Sequence, residues 1–332
     1  MAIRSKILGT GHYVPERVVT NAELESLMDT TDEWIQQRTG IRERRWIDKE
    51  CGASDLAKPA AEAALEMAGL EAKDIDAIIF ASLSPDYNFP GSGCLMTDLL
   101  GIPGTPAVDI RNQCSGFVYG LQIADAYIRS GIYKNVLFIG SEVHSTGLDL
   151  STRGRDVSVI FGDGAGAVLL GPSDDPSQGI LTTLAGADGA YAKELWVEMP
   201  ASRFIPRLTL EGMEEGRHFP RMNGREVFKH AVRKLPDAVV TALKSCELGV
   251  EDVDLFIPHQ ANLRIAEAVQ KALGLPDEKV YNNIMHYGNT TAASIPIALD
   301  ECIRSGRLQR GQLFACGAFG AGFTWGSAII RF

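Results

Sequence analysis

The chain has 332 residues, 45% of them hydrophobic and 22% charged, long and apolar enough to bury a sizeable core, which argues against disorder. Its formal net charge of −10, from 32 Lys and Arg against 42 Asp and Glu, excludes nucleic acid as the main partner, because phosphate binding needs a basic footprint. No apolar run approaches the ~18 residues of a membrane span, the start Met1-Ala-Ile-Arg-Ser-Lys-Ile-Leu-Gly lacks a signal-peptide core, and the 6 cysteines form no Cys-x-x-Cys pair; a cytoplasmic protein with reduced thiols and no metal site is expected.

Short β-rich apolar runs alternate with helical segments, the pattern of α/β layers with mostly buried strands. In chain order, strands are expected at 3–9, 77–81, 136–139, 157–161, 165–170, 255–257, 313–316 and 323–331. Helix starts are marked by the capping boxes Thr20-Asn-Ala-Glu23 and Thr30-Thr-Asp-Glu33, and helix ends by Gly69, Gly131, Gly274 and Gly306. Gly162-Asp-Gly-Ala-Gly166 has the composition of a phosphate loop, but no helical segment follows it, so a tight turn between strands is the better reading. The turn-rich link Gly171-Pro-Ser-Asp-Asp-Pro176 divides the chain into halves, 1–172 and 173–332.

The halves are copies. Residues 74–82 match 252–260, 114–131 match 289–306, and 136–138 match 312–314, three blocks in nearly one register. A repeat this long is a duplicated half-domain and not a short-period solenoid. It sets Cys114 opposite Asn289, each after a strand-like stretch (107–111 and 279–283) and at the start of a helix. A cysteine there feels the helix dipole and free N–H groups, so a lowered thiol pKa and an oxyanion site are expected. His259 follows the equivalent strand of the second half and opens onto the same face. Singly, each has a plainer role: a core cysteine, a satisfied histidine, an N-cap asparagine. Their joint placement at strand-to-helix junctions of a duplicated fold is hard to explain by packing.

Five motifs in order, Asp32-Glu-Trp-Ile-Gln-Gln-Arg-Thr-Gly-Ile41, Ile160-Phe-Gly-Asp-Gly-Ala-Gly-Ala167, Pro258-His-Gln-Ala-Asn-Leu-Arg264, Tyr287-Gly-Asn-Thr-Thr-Ala-Ala-Ser-Ile-Pro296 and Phe319-Gly-Ala-Gly-Phe-Thr-Trp-Gly-Ser327, carry a resemblance over essentially the whole chain. On them it resembles the β-ketoacyl-[acyl-carrier-protein] synthase III group of thiolase-fold condensing enzymes. The resemblance implies α/β halves with pseudo-twofold symmetry layered as αβαβα, a homodimer, Cys114 as acyl-accepting nucleophile, and His259 with Asn289 as the decarboxylation pair. It implies decarboxylative Claisen condensation of an acyl-CoA primer with a malonyl thioester, on acyl carrier protein or CoA, giving a β-ketoacyl product with no metal or redox cofactor. The backbone N–H groups of Cys114 and Ala321 would form the oxyanion hole, and Trp34, Arg38 and Arg153 would hold CoA. Lys229, Arg233 and Arg264 would dock an acidic carrier protein. Phe89 would reach across the dimer to close the partner's acyl pocket, which Gln113 and the long segment 185–222 also bound.

Departures from the housekeeping pattern bear on the primer. Asn112-Gln113-Cys114-Ser115 replaces the small residues usual around the nucleophile, Ala321 replaces a glycine, and 185–222 is longer than in fatty-acid initiation enzymes. They point to a longer, branched or specialised acyl group. The alternatives are a specialised-metabolism condensing or acyl-transferring enzyme, a head-to-head condensation of acyl chains, or, in another class, a non-catalytic partner subunit. Retention of Cys114, His259 and Asn289 together speaks against the last.

Overall fold

Val136–Glu142 is buried at every residue and is the spine of the first sheet in the computed structural model, which describes residues 4–332. A strand covered on both faces reads as a continuous apolar run, which is why its position was legible. The first sheet has the order Arg4–Tyr13, Gly164–Ser173, Val136–Glu142, Ala77–Ala81, Ala107–Ile110. The second has the corresponding order Gly179–Ala187, Thr324–Arg331, Leu313–Gly320, Leu255–Pro258, with the same sequence of antiparallel and parallel pairings. The fold is therefore the duplicated thiolase-type α/β arrangement. Ile3, the first residue of the expected opening strand, lies outside the described residues.

Two helices run between the sheets. Gly116–Arg129 and Ser294–Arg304 share one apolar core with both, through Phe117, Val118, Leu121, Ile128, Ile295, Ala298 and Leu299. Ala53–Ala68 covers the outer face of the first sheet, and Gly224–Ser245 with Leu263–Leu273 covers that of the second. Packing in the central layer is close. A Cβ on Gly120 would lie 2.2 Å from the Phe138 ring, so the helix can approach the sheet only with glycine there. Truncating a central aromatic such as Phe117 to Ala would cost about 3–5 kcal/mol through the cavity it leaves. No helix among the described residues is long and apolar enough to cross a membrane.

Three local expectations fail. Residues 157–161 form no strand: Arg155–Ser158 is a helical turn, and its apolar side chains pack with Ile35 and Trp46. A short apolar run cannot be assigned by period alone. Residues 279–283 make only a single bridge, Phe256 to Val280, because the Gln260 side-chain oxygen takes the backbone N–H groups of Asn283 and Ile284. The helix Asp32–Thr39 is capped by Thr31, whose hydroxyl accepts from Trp34 N–H, and not by Thr30. Thr20 caps as expected, and Gly69 and Gly274 end their helices in the left-handed region.

Candidate active site

Cys114 sits in a single 3-10 turn, Gln113–Ser115, that leads into the central helix Gly116–Arg129. The turn is tight: Gln113 has φ 45°, unusual for a residue with a side chain. Gly320, at the end of a strand of the other half, lies directly against the cysteine, and a Cβ there would be 2.5 Å from Cys114 Cβ and 2.9 Å from its sulfur. The backbone N–H groups of Cys114 and Ala321 and the Thr291 hydroxyl lie near enough to the sulfur to favour its thiolate. The expectation of a lowered thiol pKa fails nonetheless. Burial pushes the Cys114 thiol up to about 12, and the buried Glu142 carboxylate adds to the rise, while those three donors only partly offset it.

His259 and Asn289 are buried, Asn289 on a cavity that it shares with Cys114, and each is fixed by its own partner. His259 Nδ1 lies 2.6 Å from Ser294 Oγ, the first residue of the second central helix, while Nε2 is buried with no partner. Ser294 Oγ also accepts from Gln260 N–H at 3.4 Å; with its own proton given to Nδ1, the imidazole hydrogen would sit on Nε2. Gln260 staples this loop to residues 283–284 and to Pro258 O. Asn289 Oδ1 accepts from Thr291 N–H at 2.8 Å, which leaves the amide nitrogen free to donate. Its backbone pairs with Ile160 and Gly162 of the first half, joining the halves at the site.

Two cavities meet at Cys114. One, of about 500 Å³, passes Asn289, Phe319 and Ile160 and opens between Trp34, Arg38, Arg225 and Arg264. The other, of about 520 Å³, lies beyond the thiol, bounded by Leu83, Gln113, His144, Trp196, His218 and Ala321 among others. A thiol at the junction of two cavities, with backbone N–H groups close by, is suited to taking an acyl group from a long carrier.

The comparisons agree with that geometry. Residues 108–189 match the family profile 3-Oxoacyl-[acyl-carrier-protein (ACP)] synthase III, and residues 243–332 match its C-terminal counterpart. The chain is 46% identical over 329 residues to the Beta-ketoacyl-[acyl-carrier-protein] synthase III of Caldanaerobacter subterraneus subsp. tengcongensis, covering 99% of this chain and 98% of that one. With the Roseiflexus castenholzii protein of the same name it shares 47% over 331 residues, covering 100% and 99%. The crystal structure of 3-oxoacyl-[acyl-carrier-protein] synthase III from Aquifex aeolicus VF5 superposes with a TM-score of 0.90 at 43% identity, covering 99% of this chain and 100% of that one. The chain belongs to the β-ketoacyl-[acyl-carrier-protein] synthase III family. It is an acyl-transferring condensing enzyme.

At the mouth of the channel this family member stacks two guanidinium groups on one indole. Arg38 lies 4.6 Å and Arg155 5.1 Å from the Trp34 ring. Arg153, expected there, is drawn away: it binds the Asp149 carboxylate and Glu214 O and lies over Phe219. The heptapeptide Ser151-Thr-Arg-Gly-Arg-Asp-Val157 holds two arginines two residues apart, and only the fold decides which faces the indole. Arg225 was also missed, although it lies one turn before Lys229 on the helix Gly224–Ser245. Arg38→Ala and Arg155→Ala are each expected to raise KM for acyl-CoA about tenfold with kcat nearly unchanged, and Arg153→Ala to change neither. Reaction with a short pantetheine thioester should be unaffected, and the preference for CoA should weaken in salt.

Lys229 and Arg233 share a face of that helix, with Lys229 3.1 Å from Glu226, and Arg264 lies over Phe228 beside them. Phe89 is 85% exposed and lines neither cavity of its own chain. Segment 185–222 is divided. Leu195–Trp196 pairs with Arg221–Met222 and, with His218, walls the two cavities, whereas Ile205 and Leu210 face solvent. Asp163 of the glycine-rich motif binds no phosphate; its carboxylate accepts from the backbone N–H groups of Ile47, His144 and Ser145 and from the Ser145 hydroxyl.

Burial also sets a pH dependence of stability. His144 and His259 fall from an ordinary 6.5 to about 3, so between those values the unfolded chain binds more protons and stability drops as pH falls. Glu142, raised from 4.5 to about 7, opposes this by one proton between those values. Asp163 and Asp109, also raised by burial, oppose it further. His144→Leu removes one of the two groups that lower stability as pH falls, so thermal scans between pH 6.5 and 5 should show a smaller fall in Tm, or a larger rise, for the variant than for the wild type.

Proposed function

We propose that the chain condenses an acyl-CoA primer with a malonyl thioester, carried on acyl carrier protein or CoA, through an acyl-Cys114 intermediate, and releases a β-ketoacyl product. The observation that carries this reading is the junction of two cavities at one buried thiol, together with a buried imidazole, His259, whose Nε2 has no partner. The Cys114 thiolate attacks the primer carbonyl, and the N–H groups of Cys114 and Ala321 receive the oxyanion. CoA departs through the channel and the acyl chain remains in the second cavity. The malonyl thioester then enters by the same channel. As CO2 leaves, negative charge grows on its thioester oxygen, where His259 Nε2–H and the Asn289 amide donate. The enolate carbon attacks the acyl-enzyme and frees Cys114. A neutral His259 suits this step, since burial holds its pKa down to about 3 and the ring is a donor without charge.

No metal or redox group enters this scheme, and CoA thioesters are substrates. The patch Lys229, Arg233 and Arg264, with Arg225 at the channel mouth, suits an acidic carrier protein, which an overall acidic enzyme must attract locally. A homodimer is supported by the unpaired outer edge of the strand Ala107–Ile110 and by Tyr87 and Phe89 exposed beside it; Phe89 would then close the partner's acyl pocket. The second cavity is lined in part by Leu83, Val143, Leu148 and Trp196, apolar surface that suits an acyl chain. The test is product mass: the purified protein, offered a panel of acyl-CoAs with malonyl-carrier protein or malonyl-CoA, should form a β-ketoacyl product with release of labelled CO2. Acyl loading without CO2 release would instead mean transfer to another acceptor.

A further inference from the structure

The polar side chains that line the second cavity are of two kinds. Ser84 Oγ lies 2.6 Å from Glu142 Oε2, and His144 Nε2 lies 2.8 Å from Thr291 Oγ1, so these groups are bonded within the protein. Arg111, Gln113 and His218 line the same cavity, and among the described residues none of their side-chain nitrogens has a hydrogen-bond partner. We propose that this cavity selects acyl groups that carry an acceptor oxygen on the chain, held by Gln113 and His218, and that Arg111 favours a carboxylate in that place. The inference rests on the condensing reading above and names its class of primer.

Three observations carry it. Gln113 keeps a side chain at φ 45°, beside the nucleophile, where glycine would sit with less strain. Such a conformation persists only where the surroundings fix it, and here it leaves an unbonded amide on the wall of the cavity. His218 stands on that wall too, with Nδ1 buried and no acceptor or donor for it in the protein. Finally, no acidic residue lines the cavity, so the exposed Arg111 guanidinium has no counter-ion there. Asp109, two residues earlier, gives its carboxylate to the Gly93 N–H at 3.0 Å.

CoA has no need of these groups. Its channel is the first cavity, which has cations of its own in Arg38, Arg225 and Arg264. A plain alkyl chain in the second cavity would displace water from the amide and the imidazole and return no hydrogen bond, whereas an oxygen on the chain restores one. Leu83, Val143, Leu148 and Trp196 still cover the methylenes between. A site that hydrogen-bonds one group of its substrate rejects the analogue lacking that group far more strongly than an apolar pocket rejects a missing methylene. The oxygen takes no part in bond making, and Cys114 still receives the acyl carbon.

The measurement is competitive loading. Hexanoyl-CoA, ω-hydroxyhexanoyl-CoA and adipyl-CoA, which share one carbon count, are offered together at equal concentration, with acetyl-CoA alone as a control, and intact-protein mass reads the ratio of adducts. The two oxygenated groups should load at least about tenfold faster than hexanoyl, with adipyl fastest. Gln113→Met and His218→Leu remove donors at similar volume, and each should bring ω-hydroxyhexanoyl to within about threefold of hexanoyl while hexanoyl loading holds or rises. Arg111→Met should slow adipyl alone, by about tenfold. A wild type that favours hexanoyl, or variants that slow all three alike, would reduce these side chains to cavity wall and overturn the proposal. Unchanged adipyl loading in Arg111→Met overturns the part given to Arg111. Should a variant not fold, the wild-type ratios decide alone. Loading from acetyl-CoA but from none of the three sinks the primer class and leaves the condensing reading standing, whereas no loading from any acyl-CoA sinks both.

Discussion

Cys114→Ala should load no acyl group from any acyl-CoA, with overall condensation reduced by about 10⁴-fold or more. The size of the effect follows from the site's economy of groups. The cavity junction exposes one thiol, Cys302 and Cys316 are wholly buried, and Cys51, Cys94 and Cys246 line neither cavity. Removal of the sulfur leaves the oxyanion donors and the channel intact, so the variant should still bind acyl-CoA with near wild-type affinity. Intact-protein mass after incubation with acyl-CoA reads loading directly, and peptide mapping places the added mass. Loading that persists in Cys114→Ala refutes the nucleophile assignment. Loss of acyl-CoA binding along with loading would point instead to a collapsed site.

His259→Ala and Asn289→Ala should separate the half-reactions. Both should still self-acylate, because the oxyanion donors for loading are backbone N–H groups, yet each should decarboxylate the malonyl thioester at least ~100-fold more slowly. Each deletion removes one of two donors to the same oxygen, and one such donor commonly contributes ~3 kcal/mol to the barrier. Ser294→Ala should imitate His259→Ala in part, since it removes the hydrogen bond that sets the imidazole tautomer while leaving the ring in place. Labelled CO2 release from pre-acylated enzyme is the readout. Wild-type rates in the two alanine variants would remove both residues from the chemistry.

Much of this site could be read before any coordinate was known, for a definite reason. Gene duplication left Cys114 and Asn289 at matching places in two copies of one unit, so their facing each other across the fold was a matter of register. His259 followed from the same register, one strand earlier in its half. The channel mouth was half legible: the spacing of Trp34 and Arg38 puts them on one helix face, but choosing Arg153 over Arg155 needed the path of an irregular loop that sequence period does not describe. The strand expected at 157–161 failed for a related reason, since its valine and isoleucine serve a wall of the site and not a sheet.

By itself the sequence determined the α/β class, the duplicated halves and some of the helix caps, and it singled out the three side chains to which the chemistry is assigned, all of which depend on residue type and on spacing along the chain. Only the tertiary structure decided the electrostatic state of those side chains. The thiol is pushed up to about 12 and the two imidazoles down to about 3 by burial beneath residues that come from both halves. Desolvation depends on everything packed around a group, and a charge's cost in that setting cannot be read from its neighbours in sequence. The hydrogen bond between His144 and Thr291 likewise joins segments far apart in the chain, and it exists only once the two sheets have closed on the helices between them.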